Sequence, residues 1–532
     1  MDRKMPGWLK DAVFYQIYPQ SFYDSNDDGI GDIPGITAKL DYIESLGVKG
    51  IWINPCFVSP FGDAGYDVAD YYKVAPRYGT NADLRKLFAA AAKRGIHVCL
   101  DLVPGHTSTE HPWFRASSKA KPNKYTNWYV WTDSVWSDTE GLPAVAGYSE
   151  RYAKYIPNFF YFQPALNYGF AKPDPRKPWQ LPVDHPDVAA LKEEIKKIMR
   201  FWLDMGASGF RVDMAASLVK KDENALEVSR FWREVREMFD RDYPDAVLIS
   251  EWGCPEKAIQ AGFHMDFVLP FSKETRPIFR GHYKPDNSDF SDSFFHHKGA
   301  GDAFEFMQYY LRHYEKTKDL GYISIPSGNH DTERINSGRT LKELEIIFAF
   351  LLTMPGVPFI YYGDEIGMRN VWGLISKEGG YNRTAARTPM QWDGSKNAGF
   401  SGAEAKKLYL PLDSIKDRPT VAREERDARS LLNKVRAMIR LRRENAALAA
   451  DGEFASLYAE KNKYPLVYLR CAGKQRFIVA LNPSAGQVKA EFRVEGAESA
   501  GKLLTGDGAI LSARNDGYMV AMNGISYGIF EI

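Results

Sequence analysis

Four apolar runs of the sequence carry an acidic side chain at or near their C-terminal ends, and these carboxylates are the groups best suited to chemistry. They are Asp101, Asp213, Glu251 and Asp331. A carboxylate can attack an anomeric carbon while a second carboxyl, kept protonated, gives its proton to the departing oxygen. Because no thiolate or Ser–His pair accompanies the set, these residues predict cleavage of a glycosidic bond.

Basic side chains stand beside the same carboxylates. Arg211 precedes Asp213 by two residues, which places both side chains on one face of a strand. The same spacing is compatible with nothing more than a buried salt bridge. His106 and His330 stand close to the strand ends that carry Asp101 and Asp331. Long stretches of chain separate the carboxylates, so each belongs to a different strand and only a closed sheet brings them together.

Eight apolar runs alternate with amphipathic helices over about 360 residues. The runs are VFYQIYPQSF (13–22), GIWINP (50–55), HVCLDLVP (97–104), GFRVD (209–213), VLISEW (247–252), DFVLPF (266–271), ISIPSGNHD (323–331) and VPFIYYGDE (357–365). Runs without polar alternation are typical of parallel strands buried on both faces. The order predicts a (β/α)₈ TIM barrel, in which chemistry lies at the C-terminal strand ends. A doubly wound open sheet is the alternative, but no G-x-G-x-x-G follows an early strand.

Two stretches depart from this alternation and predict additional domains. Residues 107–179 are loop-like and rich in aromatic side chains, so we expect a subdomain inserted after the third strand. After residue 448, short alternating runs such as PLVYLR (465–470) are separated by Gly, Asn and Pro, which predicts a C-terminal antiparallel β-sandwich. The predicted domains are therefore a barrel (1–106 and 180–448), an insertion (107–179) and a sandwich (449–532).

Composition excludes several classes of partner. The 69 basic and 68 acidic side chains give a formal net charge of +1, so neither nucleic acid nor an anionic membrane is an expected partner. No window approaches 18 consecutive apolar residues, as a spanning helix would require. The chain opens without an apolar leader, which predicts a cytoplasmic protein or one whose signal peptide was removed. Monomer and dimer both remain open.

Further motifs carry a resemblance to a known family. GFRVD (209–213), ISEWG (249–253), GNHD (328–331), GYDVADY (65–71), GVPFIYYGDE (356–365) and RTPMQWD (387–393) are similar to motifs of the α-amylase superfamily, glycoside hydrolase family 13, in its oligo-1,6-glucosidase and α-glucosidase branch. The resemblance runs through almost the whole chain. It implies that Asp213 is the nucleophile, Glu251 the acid and then the base, and Asp331 a carboxylate that holds sugar hydroxyls.

The same resemblance implies a set of substrate-binding residues. His106 and His330 would donate hydrogen bonds to the sugar, Tyr66 would stack on it, and Arg211 would keep the nucleophile ionised. Asp67 and Arg387 would pair and close the pocket behind the non-reducing end, a pair that is also compatible with a plain structural salt bridge. A pocket closed at that end favours exo-action on short substrates.

An acidic loop near the N-terminus resembles the first part of an EF-hand. Its oxygen-bearing positions are Asp24, Asn26, Asp28, Ile30 (through its carbonyl) and Asp32. Gly29 stands at the sixth position, but the twelfth is Gly35 rather than Glu. With the family resemblance, the loop predicts a structural Ca²⁺ or Mg²⁺ ion. An Asx-rich turn without an ion is the alternative.

Three residues depart from the family pattern around the expected pocket. Gly105 stands where the family has Asn, Ala165 replaces the Asp of the branch motif QPDLN, and Met214 follows the nucleophile in place of the usual Val or Ala. The leading hypothesis is a retaining, exo-acting α-glucosidase that hydrolyses short α-glucosides through a covalent β-glycosyl-enzyme.

Two other functions compete with hydrolysis. The first is an α-transglucosylase or isomerase of the trehalose synthase, glucanotransferase or sucrose isomerase type. It shares the first half-reaction and differs in whether water or a sugar hydroxyl attacks. The second is a catalytically silent binding subunit, which conflicts with the presence of Asp213, Glu251 and Asp331.

Overall fold

The catalytic barrel predicted from the apolar runs is present in the computed structural model, which describes residues 4–147, 149–282, 289–378, 383–497 and 500–532. Eight parallel strands form one sheet. Their bounds are β1 Phe14–Ile17, β2 Gly50–Ile53, β3 His97–Leu102, β4 Gly209–Val212, β5 Val247–Ser250, β6 Met265–Phe267, β7 Tyr322–Ser324 and β8 Phe359–Tyr361.

The sheet closes on itself. The hydrogen-bonded order is β7–β6–β5–β4–β3–β2–β1–β8, so only β7 and β8 need to meet to complete a barrel. The Phe359 N–H donates to the Ile325 carbonyl at 3.3 Å, and the Ser327 N–H donates to the Phe359 carbonyl at 2.9 Å. These bonds confirm the TIM barrel and reject the open sheet, because an open sheet would leave both edges unpaired.

Helices cover the outside of the barrel, and local sequence explains where they begin and end. Thr80 and Asp83 form a capping box at the start of α3, and Gly206 ends α5 with a φ of 117°, which a side chain would disfavour. The helices are α1 Ile33–Ala38, α2 Leu40–Leu46, α3 Asn81–Ala92, α4 Pro112–Ser117, α5 Pro186–Met205, α6 Leu226–Asp242, α7 Pro255–Gln260, α8 Arg276–Phe279, α9 Phe304–Thr317, α10 Leu341–Thr353, α11 Val421–Arg426 and α12 Leu431–Glu444.

The segment between β3 and α5 forms a separate lobe above the barrel. Short ribbons there pair Val145–Ala146 with Lys154–Tyr155, and the rings of Phe114, Trp131 and Tyr155 pack together. The Leu166 N–H donates to the Gly105 carbonyl at 3.0 Å, which ties the lobe to the end of β3. The exact domain boundaries stay predictions.

The C-terminal part is an antiparallel sheet folded over on itself. Its strands are β9 Glu453–Tyr458, β10 Leu466–Ala472, β11 Gln475–Asn482, β12 Val488–Arg493, β13 Lys502–Arg514 and β14 Gly517–Glu531. β14 pairs with β12 through residues 517–522 and with β11 through residues 526–531. The two layers share a core that includes Val467, Ile478, Phe492, Leu511 and Val520.

None of the helices in the described parts of the chain is long and apolar enough to cross a lipid bilayer. The most apolar helix, α10, is instead enclosed by protein. All its residues from Glu343 to Thr353 are buried, where it packs against α12 and the C-terminal sheet.

Candidate active site

A pocket of about 580 Å³ opens at the C-terminal ends of the barrel strands, where the sequence predicts the chemistry. It lies between the barrel and the inserted lobe. Acidic and basic groups line one part of it, and aromatic or aliphatic side chains line another. The lining residues are Asp63, Tyr66, His106, Phe159, Asp213, Met214, Ala216, Ser217, Glu251, Trp252, Leu269, Phe271, Asp331 and Arg383.

Arg211 connects three of the strand-end carboxylates. Its Nη1 lies 2.8 Å from Asp101 Oδ1 and 3.0 Å from Asp213 Oδ1, and its Nη2 lies 2.9 Å from Glu251 Oε1. The Met214 N–H donates to Glu251 Oε2 at 2.9 Å, with Met214 in the left-handed region at a φ of 44°. Strands β3, β4 and β5 therefore present three acids around one guanidinium.

The three acids outnumber their shared cation, and this sets the protonation of the site. Burial, and then the neighbouring Glu251 carboxylate, raise the pKa of Asp213 well above its usual range. Arg211 lowers that pKa, but its effect is outweighed. The expectation that Arg211 keeps Asp213 ionised is therefore incomplete, since burial and the Glu251 carboxylate oppose the effect of Arg211 on the Asp213 pKa.

Asp331 has the opposite electrostatic environment. Its Oδ1 lies 2.7 Å from Arg383 Nη1 and 2.9 Å from Arg387 Nη2, and its Oδ2 lies 3.1 Å from His330 Nε2. Burial raises the pKa of Asp331, but His330 and the two arginines outweigh it and hold that pKa well below its usual range. Asp331 is therefore an anion at neutral pH.

Tyr66 and His330 form a stacked layer beneath the carboxylates. Their ring centroids are 5.3 Å apart, and the Tyr66 hydroxyl donates to Asp101 Oδ2 at 2.9 Å. The side-chain amides of Gln16 and Asn54 lie 3.1 and 3.0 Å from His330 Nδ1. Whereas the resemblance implies that His330 donates to a sugar, its Nε2 here faces Asp331.

The predicted Asp67–Arg387 pair is wrong. Asp67 instead accepts hydrogen bonds from the Ser59 hydroxyl and from the backbone N–H groups of residues 62 and 63, at 2.8–3.1 Å. Arg387 is taken up by Asp331 and by Glu378, whose Oε2 lies 2.6 Å from Nη1. The Asp67 carboxylate therefore makes its hydrogen bonds within its own loop. A short side chain of this kind reaches neighbouring backbone amides more easily than a distant cation.

Asp63 and Arg383 form the pair that the sequence analysis missed. Arg383 Nη2 lies 2.6 Å from Asp63 Oδ1, and Gln163 of the inserted lobe donates to Asp63 Oδ2 at 2.9 Å. Because Arg383 also contacts Asp331, these residues form one chain of charged contacts along the pocket wall. Loop residues of this kind follow no hydrophobic period, so no periodic pattern predicts the pair. The motif GYDVADY (65–71), two residues after Asp63, was the only sequence signal near it.

His106 lies immediately beyond β3 and is almost fully buried. Burial lowers its pKa to about 3, although the Tyr66 carbonyl acts in the opposite direction, so the imidazole is neutral. Nδ1 lies 3.2 Å from the amide nitrogen of Asn158, while Nε2 makes no hydrogen bond of good geometry. His106 therefore places a buried ring nitrogen without a hydrogen bond of good geometry at the pocket wall.

The acidic loop coils through successive Asx turns. Asp24 Oδ1 accepts the N–H of Asn26 at 3.1 Å, Asn26 accepts the N–H of Asp28 at 3.0 Å, and Asp28 accepts the N–H of Ile30 at 2.8 Å. Asp32 caps α1 through the Gly35 N–H. The loop lies apart from the pocket, and none of its residues lines it.

The charge of this loop fits a hard cation. Asp24 and Asp32 are both 2% exposed, and in the described chain neither forms a salt bridge with Lys, Arg or His. Burial, with a smaller contribution from Asp24, raises the pKa of Asp32. Carboxylate, amide and carbonyl oxygens are the ligands that Ca²⁺ prefers.

Comparisons with known proteins agree with this fold. The model of the alpha amylase catalytic domain matches residues 16–451. The chain is 33% identical to the trehalose synthase/amylase TreS of Mycolicibacterium smegmatis, over 88% of this chain and 81% of that one. It is 30% identical to an oligo-1,6-glucosidase of Parageobacillus thermoglucosidasius, over 89% and 90%.

A solved structure gives the same result for the architecture. The trehalulose synthase MutB of Pseudomonas mesoacidophila superposes with a TM-score of 0.79 at 26% identity, covering 98% of this chain and 99% of that one. The family match extends over most of the chain and includes every strand end that carries an acidic pocket residue. The chain therefore belongs to the alpha-amylase family of glycoside-acting enzymes.

Proposed function

We propose that the chain is a retaining, exo-acting α-glucosidase that hydrolyses short α-glucosides. One observation carries the proposal: Asp213 and Glu251 share Arg211 at the base of a pocket whose wall is formed by the Asp63–Arg383–Asp331 contacts. Two acids that face one cation can share a proton, and such a pair is suited to supply both a nucleophile and a general acid.

The first half-reaction uses both members of this pair. With the shared proton on Glu251, the Asp213 carboxylate attacks the anomeric carbon as the bond to the glycosidic oxygen breaks. Glu251 gives its proton to that oxygen, so the leaving group departs as a neutral alcohol and Glu251 becomes a carboxylate. The product is a β-glucosyl ester on Asp213, and Arg211 stabilises whichever carboxylate is ionised.

The second half-reaction reverses these roles. Glu251, now a base, takes a proton from water while the water oxygen attacks the anomeric carbon and the ester bond to Asp213 breaks. Two inversions give net retention. Asp331, which is anionic, accepts hydrogen bonds from sugar hydroxyls, and these bonds strengthen as positive charge develops on the ring.

The pocket wall supports action on chain ends. The Asp63–Arg383 contact, at 2.6 Å, and Arg383–Asp331, at 2.7 Å, leave little room for a sugar chain to continue in that direction. Phe159, Trp252 and Phe271 also line the pocket and present apolar surface to it. Aromatic faces of this kind suit the C–H face of an uncharged sugar at the leaving-group side.

Intramolecular glucosyl transfer, of the trehalose synthase or sucrose isomerase type, is the second candidate. The relatives named trehalose synthase match at 32–33% identity, as strongly as the glucosidase at 30%. The apolar mouth at Phe159 and Phe271 could also retain a released sugar long enough for another of its hydroxyls to attack. Both candidates share the first half-reaction.

A product analysis distinguishes the two candidates. We expect that purified enzyme incubated with maltose, isomaltose, trehalose, sucrose or an aryl α-glucoside, and followed by proton NMR in real time, releases glucose first as the α-anomer. Early appearance of a new disaccharide without free glucose would instead establish transfer. Release of the β-anomer first would reject the retaining mechanism in either form.

A variant of the nucleophile tests the assignment itself. Asp213→Asn should lower turnover by at least ~10³-fold, because the amide cannot form the ester, while the melting temperature changes little. Asp319→Asn, an exposed substitution of the same chemical type, is the matched control and should retain full activity. Near-normal turnover in the Asp213 variant would refute its role.

A further inference from the structure

Asn158 of the inserted lobe joins His106 to Lys220. Its Nδ2 lies 3.2 Å from His106 Nδ1 and 3.2 Å from the Ser217 hydroxyl, while its Oδ1 lies 3.1 Å from Lys220 Nζ. The three side chains come from different parts of the chain: the end of β3, the lobe, and the segment after β4. The proposed chemistry uses neither Asn158 nor Lys220.

Lys220 determines which way the amide of Asn158 points. A lysine ammonium only donates hydrogen bonds, so the amide oxygen must face it and the NH₂ group must face His106. The other contact of Lys220 is the Ser217 carbonyl at 3.1 Å, and it forms no salt bridge with an acid in the described chain. Neither of these contacts of Lys220 favours the reverse orientation of the Asn158 amide.

The orientation of the amide in turn determines the tautomer of His106. Nδ1 receives an N–H from Asn158, so it is the acceptor, and the single proton of the neutral ring resides on Nε2. Nε2 makes no hydrogen bond of good geometry within the protein, and His106 lines the pocket. The ring thus carries a hydrogen-bond donor rather than an acceptor on a buried Nε2 at the pocket wall, and the Tyr66 carbonyl also acts on this ring.

Gly105 provides the space for this arrangement. A Cβ atom at position 105 would lie 2.8 Å from Asn158 Nδ2, closer than atoms of this kind approach without displacement. The side chain that the family resemblance leads one to expect at position 105 is absent, and the amide of Asn158 occupies that space. The absence of a side chain at position 105 therefore makes room for the Asn158 amide.

We propose that Asn158 and Lys220 are positioning residues that keep the Nε2–H of His106 directed at a hydroxyl oxygen of the bound sugar. The proposal rests on the proposed function for the identity of the ligand, but the tautomer of His106 does not depend on it. Lys220 acts on Asn158, Asn158 acts on His106, and only His106 reaches the pocket. The chain of contacts extends from the lobe to the site through two hydrogen bonds.

The test measures the tautomer and the activity separately. In two-bond ¹H–¹⁵N spectra of ¹⁵N-histidine-labelled enzyme, with His106→Gln used for assignment, we expect the Nε2–H tautomer in the wild type. Asn158→Leu and Lys220→Met should give a mixture of tautomers. They should also lower kcat/KM for an aryl α-glucoside by about tenfold to a hundredfold, the loss expected for one oriented hydrogen bond. Lys220→Arg keeps a donor and should recover most of the activity.

Controls separate this role from general damage. Lys221→Met is the matched control, because Lys221 is adjacent but pairs with Glu140, and both measurements should stay at wild-type values. If Asn158→Leu does not fold, Gly105→Ala displaces the same amide from the other side. An unchanged tautomer in the folded variants would overturn the proposal, as would a changed tautomer with undiminished kcat/KM. If the wild-type enzyme acts on no α-glucoside, the proposed function is rejected, but the result on the His106 tautomer remains valid.

Discussion

At the scale of single residues, the site is controlled by an imbalance of charge. Asp101, Asp213 and Glu251 surround Arg211, whereas Asp331 alone is contacted by His330, Arg383 and Arg387. The pKa values of Asp101 and Asp213 are raised in the first group, whereas the pKa of Asp331 is lowered in the second. The pocket therefore offers a proton donor and a fixed anion at the same pH, although both groups consist of ordinary carboxylates.

Arg383 gives a direct test of the pocket wall. Arg383→Ala removes one cation from Asp331 and the partner of Asp63, so we expect kcat/KM to fall by about tenfold to a hundredfold, as for a lost charge-assisted hydrogen bond. The pKa of Asp331 should rise, since a cation that lowered it is gone. The acid limb of the kcat/KM profile should therefore move to higher pH.

Arg176→Ala is the control for this prediction, because Arg176 is exposed and pairs with Asp174 at the surface. It should leave both kcat/KM and the pH profile unchanged. An acid limb that stays at its wild-type position in Arg383→Ala would show that Arg383 does not affect the ionisation of Asp331.

Asp266 predicts a pH dependence of stability. It is fully buried on β6, where Oδ1 accepts the Ser250 hydroxyl at 2.6 Å and the Trp252 N–H at 3.0 Å, on both sides of Glu251. Burial raises its pKa to about 7. Between its unfolded pKa near 3.8 and this value the folded state binds more protons than the unfolded state, so stability falls as pH rises.

Asp266→Asn removes this titration and keeps the acceptor. The melting temperature of the variant, measured against that of the wild type, should rise between pH 4 and pH 7 and then level off. The corresponding gain in the free energy of unfolding is up to about 4 kcal/mol. The exposed Asp319→Asn should give a curve parallel to wild type. Parallel curves for Asp266→Asn would contradict burial as the source of the raised pKa.

At the scale of elements, the strands are shorter than the apolar runs that predict them. The run over 323–331 contributes only Ile323 and Ser324 to β7, and the run over 13–22 contributes only Phe14–Ile17 to β1. The remainder of the run over 323–331 turns out of the ladder and brings Asp331 to the pocket wall. Short strands thus supply rigidity, and the loops that follow them supply His330, Asp331 and the other functional groups.

The acidic loop before α1 is the element for which we propose a bound Ca²⁺ or Mg²⁺ ion. A cation would compensate Asp24 and Asp32, which are buried without a basic partner in the described chain. We expect about one ion per chain by elemental analysis. EDTA should lower the melting temperature, since a ligand at a hundredfold excess over its Kd stabilises by about 2.7 kcal/mol.

Asp28→Ala removes one candidate ligand and should abolish the effect of EDTA. Because the loop does not line the pocket, kcat/KM at low temperature should change little in the chelated enzyme. Absence of metal together with an unchanged melting temperature would leave the loop as a hydrogen-bonded Asx turn.

At the scale of the whole molecule, the C-terminal sheet contacts the barrel through buried arginines and contributes no residue to the pocket lining. Arg470 is fully buried, and it donates to the carbonyls of Thr353, Ala449 and Gly452. Arg442 similarly donates to the carbonyls at the end of α10. Two buried arginines therefore satisfy carbonyls where a helix, a loop and the C-terminal sheet meet, although none of the pocket-lining residues comes from that sheet.

Arg470→Met tests this separation. Several buried carbonyls would lose their donor, at about 1–3 kcal/mol each, so the melting temperature should fall substantially. At temperatures where the variant is folded, kcat/KM should match wild type. Arg493→Met, an exposed change on β12, should alter neither quantity. A loss of kcat/KM in folded Arg470→Met would show that the C-terminal sheet also shapes the pocket.

The sequence alone was sufficient for the barrel, the strand-end carboxylates and the family. Apolar runs, helix caps and glycine stops are local signals, and the closed barrel follows because these runs have to bury both faces. Asp101, Asp213, Glu251 and Asp331 could be identified because their positions at strand ends are tied to the same periodicity.

The pairing of loop residues was decided only by the tertiary structure. Asp63 and Asp67 share one loop, Arg383 and Arg387 share another, and neither loop has a hydrophobic period. Which acid meets which arginine depends on how these loops pack at the end of the barrel. The orientation of Asn158 similarly depends on Lys220 and on space left by Gly105. Local sequence determines where a strand ends, but contacts between distant loops are set by packing, which no local pattern encodes.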